Sequence, residues 1–192
     1  MTTRVLLVNS HSTASVQLEQ TLTEGGYDVV DKLPHDGEPC MRIEACNPDL
    51  VVVNTKSPCT ETLDKVRAII QGAPRPVVMF SEHGDSETIA KATKAGVSAY
   101  VMNDINSHRM KWIIDAAVAR FSELQALKNE LSETRLKLDE RKDIDRAKGL
   151  LMSKRKLSEH EAYHLLQKMA MNQNKKIGEI AKSILAMADL IG

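Results

Sequence analysis

The sequence predicts three consecutive parts: an α/β domain with a doubly wound, five-stranded parallel sheet, a long coiled-coil helix, and an all-α bundle of three helices. Three observations support this prediction. Apolar runs alternate with helical stretches over the first hundred residues, proline and glycine are absent from residue 107 to residue 148, and apolar residues recur at helical spacing in the last fifty residues. We expect the corresponding boundaries at residues 1–106, 107–140 and 141–192.

The alternation in the first part predicts the individual elements. Short apolar runs predict five strands, at residues 4–8, 28–31, 50–54, 76–80 and 98–102. Helical stretches separate them, near residues 13–25, 36–46, 60–71 and 85–95. Strands that are apolar throughout and alternate with amphipathic helices are typical of a parallel sheet covered on both faces. Five such units indicate a flavodoxin-like fold.

Three short segments make this part resemble a response-regulator receiver: Pro48-Asp49-Leu50, Lys56-Ser57-Pro58 and the glycine-led segment 96–100. A receiver uses a carboxylate to accept a phosphoryl group, an acidic pair to hold Mg²⁺, and a hydroxyl and a lysine to contact the phosphate. The resemblance implies that the acidic pair falls at Asn9 and Ser10 and the acceptor at Asn54. It implies that the hydroxyl falls at Ser81 and the lysine at Asn103. Only the serine hydroxyl has the chemistry that its function requires.

These substitutions predict a degenerate phosphorylation site. The carboxamide of Asn54 is a poor nucleophile, and neutral Asn9 and Ser10 offer Mg²⁺ too little negative charge. Asp49 begins the same strand as Asn54 and lies about 16 Å from the active edge, at roughly 3.3 Å per residue. Other carboxylates in the edge loops do not take the acceptor position: Glu82, Asp85 and Asp104. We therefore expect a pseudoreceiver on which another protein acts, the alternative being a domain that is only a spacer.

The residues after position 107 predict one long helix that pairs two subunits. Leu124, Leu131 and Leu138 are seven residues apart, and Leu127 follows the first of them by three. Residues of mixed charge surround these leucines, as in a short coiled coil. We therefore predict a homodimer with the four leucines at its interface. The alternative is a helix that folds back onto its own domain.

The last part predicts three short helices that pack together. Residues 144–152 form the first, and apolar residues recur at helical spacing from Ala162 to Ala170 and again from Ile177 to Ala188. Helices of about fifteen residues are marginal alone in water, so their apolar faces need each other. Residues 140–192 contain 11 Lys and Arg against 7 Asp and Glu, in a chain of zero net charge. This excess favours an anionic partner for the last part.

Short motifs make the last part resemble the ANTAR domain: AKGLLM at 147–152, Leu157-Ser158-Glu159, Glu161-Ala162-Tyr163 and Ala170-Met171. The resemblance covers about residues 141–190 and implies an RNA-binding antiterminator that acts on leader hairpins overlapping a terminator. Of the family's branches, the chain is most similar to the NasT-type regulators of nitrate and nitrite assimilation, with the amide-sensing AmiR type as second choice. The resemblance also implies a ligand-sensing repressor, similar to a periplasmic binding protein, as the partner.

The candidate RNA-binding residues are basic side chains of the last part and its one aromatic: Arg141, Arg146, Lys148, Lys154, Arg155, Lys156, Tyr163, Lys168, Lys175 and Lys176. The basic run at 154–156 lies where two helices meet and suits phosphate contacts, unless it is an ordinary solvated loop. Tyr163 can stack on a loop base or be half-buried core. Lys148 either structures the RNA surface or pairs with Asp145, three residues before it.

Residues 160–164 match H-E-x-x-H, the zinc-protease pattern. Ser158 and Glu161 also form a capping-box pair, which explains the glutamate without catalysis. We therefore expect no catalytic residue, no metal site and no cofactor. Three cysteines without C-x-x-C spacing fit reduced thiols, and no apolar run is long enough to cross a membrane. These observations predict a cytoplasmic protein that does not contact a membrane.

Two other functions stay open. A DNA-binding response regulator would place lysine-rich helices in a major groove, although the sequence has no helix-turn-helix with a tight glycine turn. A coiled-coil adaptor that binds only protein would show no salt-dependent affinity for nucleic acid.

Overall fold

The computed structural model describes residues 2–9, 13–34, 37–102 and 107–191. The elements in these ranges are β1 (Arg4–Asn9), α1 (Thr13–Glu24), β2 (Asp28–Pro34), α2 (Pro39–Cys46), β3 (Leu50–Thr55), α3 (Thr60–Gly72), β4 (Val77–Ser81), α4 (Ser86–Ala95), β5 (Ala99–Met102), α5 (Ser107–Arg155), α6 (Glu159–Gln173) and α7 (Ile177–Ile191). The chain divides into two compact units, residues 1–125 and 126–192. Helix α5 begins in the first unit and ends in the second.

The first unit is built on a five-stranded sheet in the order β2-β1-β3-β4-β5, in which every neighbouring pair is parallel. Every residue of β3 and β4 is buried, because helices cover both faces and leave these central strands no contact with water. The predicted flavodoxin-like, doubly wound α/β fold is confirmed, and each predicted strand overlaps an observed one.

Alternate residues of each strand pack into two separate cores. Leu6 and Val8 of β1 face α2, α3 and α4, whereas Val5 and Leu7 face α1 and the first turns of α5. This follows from the period of two in a strand, which sends successive side chains to opposite faces. The carboxyl ends of β1, β3 and β4 are thereby fixed along one edge of the sheet.

Two predicted helix boundaries were wrong. Helix α2 begins at Pro39 rather than at residue 36, because the residue before a proline is driven into extended backbone, and Glu38 adopts it with φ −95° and ψ 97°. Residues 144–152 are not a separate helix but part of α5, which continues through Gly149 to Arg155. The apolar contacts of Ala147 and Leu151 on either side of the glycine outweigh its low helix propensity.

The second unit packs the end of α5 against α6 and α7. Its core contains Ala147 and Leu151 from α5, Leu166 from α6 and Ile180 from α7. Gly178 permits the close approach of α7 to α5, because a Cβ there would overlap the side chain of Glu140. The predicted three-helix bundle is confirmed, with the correction that its first helix is the end of α5.

Helix α6 is capped at both ends by its own sequence. The Ser158 side chain accepts a hydrogen bond from the Glu161 N–H, and the Glu161 carboxylate accepts one from the Ser158 N–H. At the other end Asn174 takes the left-handed conformation, with φ 51°. The capping box is thus formed as predicted. Among the described helices, none is both long enough and apolar enough to cross a membrane.

Candidate functional site

The carboxyl edge of the sheet brings three of the five predicted receiver positions together. Asn9 at the end of β1 lies directly opposite Asn54 of β3, and Ser81 at the end of β4 lies opposite Thr55. Asn54 and Ser81 are buried. Ser10 and Asn103 lie outside the described residues. The arrangement is therefore that of a receiver site, with carboxamides at two of the positions.

The Ser81 hydroxyl at this edge is used inside the protein. Ser81 Oγ lies 3.0 Å from the carbonyl oxygen of Lys56 and 2.7 Å from that of His83, so its proton is donated to backbone. Asn9 Oδ1 is buried, and no described group donates a hydrogen bond to it. Such an edge carries no described carboxylate that could take a phosphoryl group or balance a divalent cation.

Two of the nearby acids, Asp49 and Asp85, are committed elsewhere, whereas Glu82 is exposed next to Ser81. Asp49 lies before β3, at the opposite end of the strand from Asn54, where its carboxylate accepts a hydrogen bond from the Arg4 N–H at 2.8 Å. Asp85 caps α4 by accepting from the Thr88 N–H at 2.7 Å, and hydrogen bonds from the side chain and the backbone of Thr88 lower the pKa of the Asp85 carboxyl. Asp104 lies outside the described residues. None of these three described acids takes the position of Asn54.

In the second unit, Lys148 is held by two carboxylates. Its Nζ lies 2.8 Å from Asp145 Oδ1 and 2.8 Å from Glu159 Oε1, and its side chain is only 16% exposed. Hydrogen bonds to Asp145 and Glu159 raise the pKa of Lys148. The predicted pair with Asp145 is present, and the bond to Glu159 ties the start of α6 to α5.

The other basic candidates differ from Lys148 because they are exposed and form no ion pair with a described residue. They are Arg141, Arg146, Lys154, Arg155, Lys156, Lys168, Lys175 and Lys176. Residues 154–156, which we call the basic corner, lie where α5 ends and the chain turns toward α6. Lys156 makes that turn in the left-handed conformation, with φ 54°. The Lys175-Lys176 pair lies in the connection from α6 to α7.

The exposed side of α6 adds aromatic and apolar surface to this charge. Tyr163 is 40% exposed and Met171 is 82% exposed, so the tyrosine ring is neither fully core nor fully free. His160 and His164 form an edge-to-face pair with ring centroids 4.5 Å apart. Within the described part of the chain, no three His, Cys, Asp or Glu side chains form a group suited to a metal ion, and Glu161 belongs to the helix cap.

Comparison with known proteins identifies both units. Residues 5–115, more than half of the chain, match the response regulator receiver domain family. Residues 132–185 match the ANTAR domain family. The chain belongs to the response regulators that carry an ANTAR domain.

The relatives of this response regulator agree with that architecture. It is 29% identical over 182 residues to the transcriptional regulatory protein PdtaR of Mycobacterium tuberculosis, a match that covers 95% of this chain and 89% of PdtaR. The nitrate regulatory protein of Klebsiella oxytoca is 40% identical over 68 residues, which are 35% of this chain and 17% of that protein. A solved two-component response regulator of the LuxR family from an Aurantimonas species has a TM-score of 0.55 and 26% identity, over 62% of this chain and 86% of that one.

The predicted dimerisation leucines of the response regulator are exposed on α5. Leu124, Leu127, Leu131 and Leu138 are between 49% and 55% exposed. In the described chain none of the four leucines is buried. Four half-exposed leucines on one helix form an apolar seam without a partner in the monomer.

The sequence missed the role of Glu159 in the ANTAR domain. This residue follows Lys148 by eleven positions across a helix end and a turn, so no helical spacing indicates that the two side chains meet. The only signal available was the acidic first turn of α6, which the capping box and the helix dipole explain equally well.

Proposed function

We propose that this response regulator binds RNA through its ANTAR domain and prevents transcription termination at leader hairpins that overlap a terminator. The observation that carries this proposal is the exposed, unpaired basic surface of the second unit, centred on the basic corner. An unpaired cation on the surface has no stabilising contact within the folded chain, but it can bind a phosphate by charge attraction and counterion release. The chain is a regulator rather than an enzyme.

A DNA-binding alternative has one feature in its favour. Three residues, Asn174 to Lys176, connect α6 to α7, which is the connection length of a helix-turn-helix. The second helix of such a pair reads the major groove. Yet the exposed charged residues in the described part of α7 are one acid and one base, Glu179 and Lys182, so α7 offers a duplex little positive charge.

We further propose that a protein partner, rather than phosphorylation, controls the receiver. Neutral Asn9 and Asn54 and the internally bonded Ser81 support this proposal, because phosphotransfer needs carboxylates at the first two positions and, at the third, a hydroxyl that contacts the phosphate. By family resemblance the partner is a ligand-sensing repressor similar to a periplasmic binding protein. The local similarity to the nitrate regulatory protein supports nitrate or nitrite assimilation as the regulated process.

The active form that we propose is a homodimer paired through the leucine seam of α5. Two ANTAR domains on one dimer would hold two hairpins, and the second contact would then be intramolecular and strengthened by avidity. Since the proposed target is a nascent transcript, the proposed function implies a cytoplasmic location.

The test is a binding experiment with the full chain and a pool of RNAs that contain two hairpins with randomised loops. We expect selection of a defined loop sequence, affinity that falls linearly with the logarithm of salt concentration, and weak binding to duplex DNA of the same sequence. Equal binding to the duplex would support the DNA-binding reading. Absence of salt-dependent binding to either nucleic acid would support a protein-binding adaptor.

A further inference from the structure

Gly149 is a helix glycine that the folded domain does not require. It lies inside α5, is exposed, and would carry a Cβ without meeting any atom within 4 Å. Glycine inside a helix is less stable than alanine, because it gives up more backbone freedom on folding. Gly178 is the opposite case, since a Cβ there would overlap Glu140. The packing of the chain thus explains Gly178 and leaves Gly149 unexplained.

The position of Gly149 on the helix shows what it faces. Ala147 and Leu151, two residues before and after it, are buried in the bundle core. At 100° per residue they lie on the side of α5 opposite to Gly149, which is therefore at the middle of the outward face. Lys142, Asp145, Arg146 and Ser153 are exposed on this same face, at seven, four and three residues before the glycine and four after it. The carboxylate of Asp145 is paired with Lys148, which among the described residues leaves Arg146 as the unpaired charge nearest to the glycine.

The outward face of α5 has no side chain at the glycine and a positively charged side chain beside it. Ser153 Oγ donates a hydrogen bond to the Leu150 carbonyl oxygen at 3.0 Å, so its side chain lies against the helix. Arg146, one turn before Gly149, has no ion pair with a described residue. Lys142 pairs with Asp139 at 3.1 Å, on the exposed surface where such a pair is weak. A ligand can therefore reach the backbone of α5 beside a free guanidinium.

We propose that the sugar–phosphate backbone of the RNA packs directly on α5 at Gly149, with Arg146 contacting a phosphate. This inference rests on the proposed function and adds the outward face of α5 to the basic corner. The missing Cβ lets the strand come close enough for the guanidinium to reach a phosphate oxygen, which Arg binds with planar, charge-assisted hydrogen bonds.

A second copy of the chain is a poorer occupant of this face. Glycine and a flattened serine would also suit close helix packing, but a twofold dimer brings the same patch of both subunits together. Arg146 and Lys142 would then face their own copies, and like charges in contact oppose association. The charge of the face matches an anionic backbone instead.

The test compares Gly149→Ala and Gly149→Leu with a matched control, Gly72→Ala, in the full chain. Gly72 ends α3 in the receiver and is likewise exposed, with nothing within 4 Å of a Cβ. The probe is the two-hairpin RNA selected by the wild-type chain. We expect Gly149→Ala to raise the melting temperature and to weaken RNA binding by about tenfold, the value of one charge-assisted contact. Gly149→Leu should weaken it further, and Gly72→Ala should leave affinity unchanged.

A double-mutant cycle with Arg146→Gln sharpens the test. If the glycine serves to bring Arg146 to a phosphate, the two losses should be strongly non-additive, because either change removes the same contact. Additive losses would overturn this geometry. Unchanged RNA affinity in both Gly149 variants would overturn the inference and leave the proposed function standing. A changed sedimentation coefficient together with unchanged RNA affinity would have the same two consequences. If the wild-type chain selects no RNA, the proposed function itself fails.

Discussion

The polar groups at the receiver positions of the carboxyl edge are neutral or bonded within the protein. Those at the basic corner of the ANTAR domain are charged and exposed. At the receiver edge the acceptor position is a carboxamide and the Ser81 hydroxyl is bound by backbone carbonyls. At the corner, Lys154, Arg155 and Lys156 are exposed and form no ion pair with a described residue. The difference teaches that a recognisable site geometry does not give a function. In the function that we propose, the charges that the folded chain leaves unsatisfied supply the capacity to bind.

The largest effect that we expect comes from the leucine seam. Replacing Leu124, Leu131 and Leu138 together by Gln should give monomers in sedimentation and weaken binding to a two-hairpin RNA by about a hundredfold, because avidity is lost. Binding to a single hairpin should hardly change, which separates avidity from misfolding. If the triple variant remains dimeric, the interface lies elsewhere, and the receiver surface is the next place to look for it.

The next effect concerns the basic corner itself. Lys154→Ala, Arg155→Ala and Lys156→Ala together should flatten the dependence of log affinity on log salt by about two units, since each single-strand phosphate contact contributes about −0.7. The melting temperature should not fall, because none of the three side chains packs in the bundle core. An unchanged slope would show that the corner is only a solvated loop, and the contact surface would then be sought at Lys168 and Lys175.

Lys148 provides an internal control for that experiment, because it is basic but already paired. Lys148→Met should lower the melting temperature of the ANTAR domain while leaving the salt slope of RNA binding unchanged. The pKa of Asp145 is lowered by its hydrogen bond to Lys148, so its contribution to stability is present above its unfolded pKa and lost as pH falls through the folded one. Between about pH 5 and pH 3, thermal melts should therefore show a smaller acid-induced loss in the variant than in the wild type. A reduced salt slope would instead make Lys148 a phosphate contact.

The smallest effect, none at all, is expected at the receiver edge. Asn54→Asp restores the acceptor but not the acidic pair or the lysine, so Mg²⁺ and phosphate stay uncompensated. Intact mass measured after incubation with acetyl phosphate and Mg²⁺ should show no phosphoryl adduct, in the wild type or in the variant. A stoichiometric, hydroxylamine-labile adduct would show that the edge has retained the chemistry we assign only to intact receivers.

The elements that sequence predicted well were those whose apolar pattern is decided locally. The strands of the receiver are continuous apolar runs, and the stripes of α6 and α7 repeat at helical spacing, so their burial needed no knowledge of the rest of the chain. The sequence did not show that residues 144–152 continue the preceding helix as part of α5, because the packing of Ala147 and Leu151 that fixes this stretch is tertiary.

For the candidate sites, the chemical type of each residue could be predicted from the sequence, and the structure added the groups that each residue contacts. The loss of receiver chemistry at Asn54 is visible in the residue alone, since an amide cannot act as a carboxylate. The pair of Lys148 with Asp145 was one of two alternatives that the sequence offered, whereas its second bond, to Glu159, could not be deduced because the two side chains meet only once α6 packs on α5. A list of basic residues therefore overstates the binding surface until their ion pairs are known.

The left-handed turn at Lys156 has a consequence for the entropy cost of any ligand binding at the basic corner. Asn47 and Asn174 take the same backbone conformation, to which asparagine is well suited, whereas for lysine it costs about 1 kcal/mol. With Leu157 packed against the bundle core and Ser158 capping α6, the corner is held in place before any ligand arrives. The loss of backbone entropy is then borne during folding rather than at each encounter, so in the function that we propose the corner would meet a nascent hairpin as a preformed surface.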